Sequence, residues 1–158
     1  MSSTLLRTGA AVAACATLGS VASRDVGSAW YRGLSKPAFQ PPPVAFPIAW
    51  TTLYADLALT SARALDAPHE LDAGERDAYV RALAVNLVLN AGWSWVFFKA
   101  HRLDAAVVVA GALTASGVDL VRRTWRADPR AGAALAVYPG WCAFATVLST
   151  ALWRRNRG

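Results

Sequence analysis

The chain has 158 residues, 55% of them hydrophobic and 16% charged, with a mean hydropathy of +0.30. Its length fits one domain, and its charged share lies below the roughly 25% usual for soluble domains, which tilts the balance toward a membrane. The formal charge of +6 comes from fourteen Arg and two Lys against ten acids. These cations lie scattered at segment ends, as membrane proteins hold them, rather than gathered on one nucleic-acid-binding face.

Composition alone leaves a compact soluble helical bundle open, because much of the apolarity is alanine and few windows reach about 18 residues without a charge. Residues 4–22 are small and apolar, with Arg7 placed to reach headgroups, and Gly9, Ala13, Ala16 and Ser20 form a stripe suited to close helix contact. The first 24 residues also vaguely resemble a secretory signal. Residues 23–42 form a Pro-rich lid loop. Pro37, Pro41, Pro42 and Pro43 predict extended or polyproline-like backbone over 35–43, with Trp30, Tyr31, Phe39, Phe46 and Trp50 crowded at the junction with the next helix.

That helix is expected over 43–63, with Pro47 tolerated in its first turn. Asp56 interrupts it, either as a functional carboxylate facing the interior or as a residue near the far interface. The acidic stretch 66–77 reads as an exposed loop carrying a solvated His69. A third helix over 78–99 aligns Asn86, Asn90, Trp93 and Phe97 at steps of four, three and four, hence on one face. Two amides in hydrocarbon need partners, which neighbouring helices or a polar ligand would supply.

The short link 99–104 makes the third and fourth helices antiparallel, with Asp104 a candidate cap. The fourth helix, 104–124, carries small residues at Ala106, Ala110 and Thr114 and at Gly111 and Ala115, for packing on a neighbour or a second subunit. A basic turn over 122–130 leads to a fifth helix, 132–153, where Trp141, Ala145, Leu148 and Leu152 share a stripe and Pro139 is able to kink the chain. Arg154, Arg155 and Arg157 anchor the tail at the interface. Counted along five spans, Lys and Arg divide eight against eight, so orientation is not set by charge. Cys15 and Cys142 lack metal or redox spacing and read as buried, inert thiols.

Three blocks resemble the TspO family, also called translocator proteins or peripheral benzodiazepine receptors. They are Trp30-Tyr31 with Lys36-Pro37, Phe39, Pro41-Pro42, Phe46 and Trp50; Asn86 and Asn90 leading to Trp93 and Phe97-Phe98; and Tyr138-Pro139 leading to Trp141 through Thr146 and ending in Trp153-Arg154. The resemblance implies an all-α membrane protein of five transmembrane helices with an ordered Pro-rich loop between the first two, one domain over 1–158, and a first helix that is retained. It further implies a bacterial cell membrane, inner or outer, a cytoplasmic C-terminus and a homodimer. An acidic residue frequent early in the fourth helix of relatives is replaced here near Val109, while Asp119 comes late.

The implied ligands are porphyrins, protoporphyrin IX or haem, with no cofactor required. Trp30, Tyr31, Pro41, Pro42, Phe46, Trp50, Asn86, Asn90, Trp93, Phe97, Trp141, Ala145 and Leu148 would hold them, indoles stacking, amides orienting, and Arg32 or Lys36 meeting propionates at the mouth. The family resemblance implies a receptor or regulator tuning tetrapyrrole levels under oxygen or stress. Alternatives are light- and oxygen-dependent degradation of protoporphyrin IX by Trp50 and Trp141, and transport. The sterol pattern of eukaryotic members lacks its tyrosine, with Leu148, Thr150 and Arg154 at the corresponding positions, so cholesterol binding is expected to be weak or absent. The sequence offers no metal cluster, phosphate loop or hydrolytic triad.

Overall fold

The computed structural model describes residues 2–67 and 71–158, so the expectation for His69 lies outside the described residues. Every regular element among the described residues is helical. In chain order these are α1 (Ser3–Ser23), a 3-10 turn (Arg24–Gly27), α2 (Ala29–Gly33), α3 (Ala45–Asp66) and α4 (Ala73–Ser94), which runs into a wide π turn (Trp95–Lys99). Then follow α5 (Leu103–Ala127), α6 (Pro129–Leu135) and α7 (Val137–Asn156).

Four stretches are long and apolar enough to cross a membrane: Ser3–Gly27, Ala73–Lys99, Leu103–Ala127 and Pro129–Asn156. At 22 residues α3 has comparable length, but Asp56, Arg63 and a run of threonines dilute its apolar character. It nevertheless packs along α1, where the Thr8 hydroxyl donates to the Ala58 carbonyl at 3.0 Å.

Several boundaries differ from those read in the sequence, each for a local reason. α4 begins inside the stretch expected to be loop, because Asp72 and Glu75 form a reciprocal capping box, with Asp72 Oδ1 accepting from the Glu75 amide at 2.8 Å and Glu75 Oε2 from the Asp72 amide at 3.1 Å. The Arg76 guanidinium donates to the Leu65 carbonyl and ties the start of α4 to the end of α3. Asp104 does not cap α5. Arg102 holds the N-cap position, and the Asp104 carboxylate, one residue inside the helix, is taken by the Arg102 guanidinium at 2.9 Å.

The expected basic turn over 122–130 is mostly helix, since α5 continues to Ala127. The break falls at Asp128, which accepts from the Arg130 and Ala131 amides at 2.9 and 3.0 Å and from Arg63 at 3.0 Å. The fifth helix of the sequence reading is therefore two. α6 starts with Pro129 where a missing N–H is harmless, and the chain resets at Ala136, three residues before Pro139 enters the first turn of α7.

α5 and α7 form the most extensive helix pair, and Gly117 permits it: a Cβ there would lie 3.2 Å from Pro139 Cβ and 3.3 Å from the Tyr138 ring. The small residues of α5 divide between two faces. Ala106 and Ala110 are buried, and Thr114 bonds Thr146 of α7 at 3.1 Å, whereas Ala115 is exposed. At the end of the bundle away from the lid, Tyr79 locks α3, α4 and α5 through Ser61 at 3.1 Å and Thr124 at 2.8 Å.

Two predictions concern the α5–α6 corner. A Cβ on Gly132 would sit 2.6 Å from Trp125 Cα, a backbone clash no rotamer relieves, whereas one on Gly140 meets nothing within 4 Å. Gly132→Ala should therefore lose about 1–3 kcal/mol in thermal unfolding in detergent, while Gly140→Ala holds or gains stability. The Ala131 amide, with the Arg63 guanidinium and the Arg130 amide, holds the Asp128 carboxyl below its usual range. A depressed acid contributes stability above the ordinary carboxylate range and loses it as pH falls through the folded value. The acid limb of the pH–stability curve should thus flatten in Asp128→Asn.

Candidate functional site: a lidded aromatic cavity

A cavity of about 510 Å³ lies at the lid end of the bundle. α1 contributes Gly19 and Ser23, α3 contributes Phe46, Trp50 and Tyr54, α4 contributes Asn90 and Trp93 with Phe97 from the π turn, and α7 contributes Trp141, Ala145 and Leu148. Tyr31 and Gln40 reach it from the lid, and no charged side chain lines it among the described residues. Volume and lining fall in the range of small-molecule sites.

The lid is fastened by its own polar groups. Ser28 caps α2 by accepting from the Tyr31 amide at 3.2 Å. Lys36 donates to the carbonyls of Tyr31, Leu34 and Arg32 at 2.7, 3.3 and 3.4 Å and lies 4.7 Å over the Tyr31 ring. It is a staple of the lid, and its ammonium is not free at the mouth as the sequence reading allowed. Three contacts join the lid to the helices: Asp25 to Lys99 at 2.9 Å, Trp30 stacked on His101 at 4.0 Å, and the Asn156 amide paired with both backbone groups of Ser35 at 2.8 and 3.1 Å. His101 turns the corner between the π turn and α5 at φ 54, the left-handed region.

Of the residues named from the sequence, Tyr31, Phe46, Trp50, Asn90, Trp93, Phe97, Trp141, Ala145 and Leu148 line the cavity, and Trp30, Pro41, Pro42 and Asn86 do not. Trp30 sits behind the wall, against Phe97 at 5.7 Å and His101. Pro43 rather than Pro41 or Pro42 reaches the cavity, because the chain has already turned toward α3 there. Asn86 lies one turn deeper, fully buried, donating to Ser116 at 3.2 Å and accepting from the Tyr138 hydroxyl at 2.7 Å.

Asn90 is bonded almost as fully. Its Nδ2 donates to the Tyr138 hydroxyl at 3.1 Å, and its Oδ1 accepts from the Tyr54 hydroxyl at 2.6 Å and from the Cys15 thiol at 3.8 Å. The two amides thus act chiefly as interhelical glue, one of the two roles their spacing allowed. The sequence reading did not name Tyr54, Gln40 or Phe144 as lining residues and took Cys142 only as a buried thiol, yet all four line the cavity.

Three buried polar atoms on the wall have no protein partner: Nε1 of Trp93, Nε1 of Trp141 and Oε1 of Gln40. The Gln40 amide nitrogen donates to the Tyr31 hydroxyl at 3.4 Å, and burial pushes the Tyr31 phenol up, keeping it neutral. Trp50 and Trp141 meet edge to face, 6.5 Å between centroids at 89°, and Trp50 stacks on Tyr54 at 5.5 Å. Cys15 and Cys142 are both buried as free thiols. Elsewhere on α3, Asp56 Oδ2 is buried without a partner, and on α5 Asp119 pairs with Arg123 at 2.6 Å.

Residues 8–154 match the TspO/MBR family. The chain belongs to that family. Similar relatives include Protein CrtK of Rhodobacter capsulatus, 32% identical over 148 residues that cover 92% of this chain and 89% of that one. Human translocator protein is 33% identical over 138 residues, covering 84% and 78%, and the tryptophan-rich sensory protein of Cereibacter sphaeroides is 31% identical over 147 residues, covering 93% and 87%. Family membership and the four apolar spans make the chain an integral membrane protein of TspO type.

The buried amide–phenol chain yields a test of its own. Tyr138→Phe removes the hydroxyl that both Asn86 and Asn90 bond, leaving two buried amide groups short of a partner. A loss of about 1–3 kcal/mol in thermal unfolding is expected, larger than for Tyr31→Phe on the lid.

Proposed function

We propose that this TspO-family protein is a receptor that binds a planar, carboxylated tetrapyrrole such as protoporphyrin IX in the lidded cavity, and that it tunes tetrapyrrole levels under oxygen or stress. The observation that carries the reading is the lidded apolar chamber walled by Trp50, Trp93 and Trp141, whose lining residues also carry the unpartnered indole N–H groups of Trp93 and Trp141 and the unpartnered acceptor of Gln40. A flat aromatic guest with polar edges stacks on such walls, and a turn of an indole or of the Gln40 side chain brings those atoms to its edge. Among the described residues the lining holds no charge, so carboxylates belong at the rim, where Arg32 is exposed.

Further elements of the reading are five membrane spans, with α3 as the one that family likeness adds, and residues 1–158 as one domain. A bacterial membrane, a cytoplasmic C-terminus, weak cholesterol binding and a homodimer complete it. The outward Gly111 and Ala115 of α5 offer the dimer a close-approach face, since nothing lies within 4 Å of a Cβ built on Gly111.

The perpendicular Trp50–Trp141 contact favours a second reading, light- and oxygen-dependent degradation of the bound porphyrin. Two readouts separate them. Protoporphyrin IX should quench the tryptophan fluorescence of the reconstituted protein saturably, and Trp141→Phe, which keeps a ring but loses the N–H, should weaken binding by roughly three- to tenfold. Absence of saturable quenching would sink the receptor reading. Illumination in air should bleach the porphyrin only if the second reading holds. Under that reading, bleaching disappears in Trp141→Phe even when the porphyrin concentration is raised until the variant is saturated.

A further inference from the structure

The formal charge of the chain is not spread evenly over its two ends. The lid end, formed by residues 24–44, the turn 99–104 and the tail after Trp153, carries eight Lys and Arg but only two acids, Asp25 and Asp104. Both acids are already taken, Asp25 by Lys99 at 2.9 Å and Asp104 by Arg102 at 2.9 Å. Lys36 is folded onto lid carbonyls. Arg24, Arg32, Arg154, Arg155 and Arg157 remain exposed, with no carboxylate partner among the described residues.

The rest of the chain also has eight cations, but eight acids match them, and Arg63 and Arg123 are paired there at 3.0 and 2.6 Å. The whole surplus of positive charge therefore lies at the lid end of the bundle. Phe39, Val44 and Ile48, between 51% and 63% exposed, stand at the same end, so the basic rim adjoins apolar side chains at the depth where headgroups give way to acyl chains.

The unpaired arginines belong to two segments that touch. Arg32 is on the lid and Arg154, Arg155 and Arg157 are on the last turn of α7 and the tail, and these segments meet where the Asn156 amide pairs with the Ser35 backbone. We propose that this rim is a docking surface for anionic phospholipid headgroups, and that a phosphate bridging Arg32 and the tail arginines fastens the lid over the cavity. The guanidinium fork suits phosphate oxygens, and like charges on two adjoining segments repel until an anion joins them. A lid fastened by lipid opens more readily in a neutral leaflet, and the device needs no porphyrin to operate.

The test uses the full chain, without added porphyrin, in nanodiscs of phosphatidylcholine with or without phosphatidylglycerol. Hydrogen exchange of the amides at 29–36 should slow on the order of tenfold with phosphatidylglycerol, an effect that high salt erases. Arg154→Gln/Arg155→Gln/Arg157→Gln should abolish that slowing while its thermal stability in phosphatidylcholine matches the parent, and the triple Lys variant should retain part of it. Arg122→Gln/Arg126→Gln at the opposite end should retain all of it. Equal exchange in both lipids, or a full lipid effect in the triple Gln variant, overturns the proposal. A slowing that appears only once protoporphyrin IX is added also overturns it, assigning the rim to porphyrin carboxylates.

Discussion

Inside a bundle that crosses a bilayer, a buried polar group has only other protein groups to bond, and this requirement fixes how the helices sit. Asn86 and Asn90 of α4 meet it through Tyr138 of α7 and Tyr54 of α3, with Ser116 of α5 and Cys15 of α1 closing the ends of the chain of bonds. One connected set of hydrogen bonds therefore touches every long helix. It holds α3 and α7 at a set height against α4, and that height puts Trp50 and Trp141 opposite each other one level above.

The cavity follows from what that network leaves over. At its level, Gly117 lets the α5 backbone take the Tyr138 ring and Pro139 of α7 directly against it. Above it the facing residues are indoles, phenols and phenylalanines, too large to interdigitate fully, and the lid closes the remaining space. Because Asn90 has spent nearly all its bonding capacity on protein, the groups still short of a partner are indole nitrogens and one lid amide. Among the described lining residues, the polar atoms without a protein partner are thus two ring N–H groups and a lid carbonyl, not the two helix amides.

The helical faces were legible from the sequence because side-chain period is a local property. Steps of three and four put Asn90, Trp93 and Phe97 on one wall, and Trp141, Ala145 and Leu148 follow the same rule. The partners of the amides were not legible, since Tyr54 and Tyr138 lie 36 and 48 residues from Asn90. The capping box at Asp72 was hidden in a stretch whose acidity reads as loop. Gln40 carried no periodic signal, since its place depends on the path of the lid. The division of α6 from α7 turns on the missing N–H of Pro139, which the sequence displays, whereas it does not display the tight α5–α6 corner at Gly132.

Between α3 and α7 the wall of the cavity is made of rings. Phe46, Trp50 and Trp141 form it with ring centroids 6.2 to 6.5 Å apart. Each ring turns about two torsions, so this side of the chamber is upholstered rather than masonry. Tilting a ring changes the width of the chamber while the helices and the polar chain beneath them stay in register.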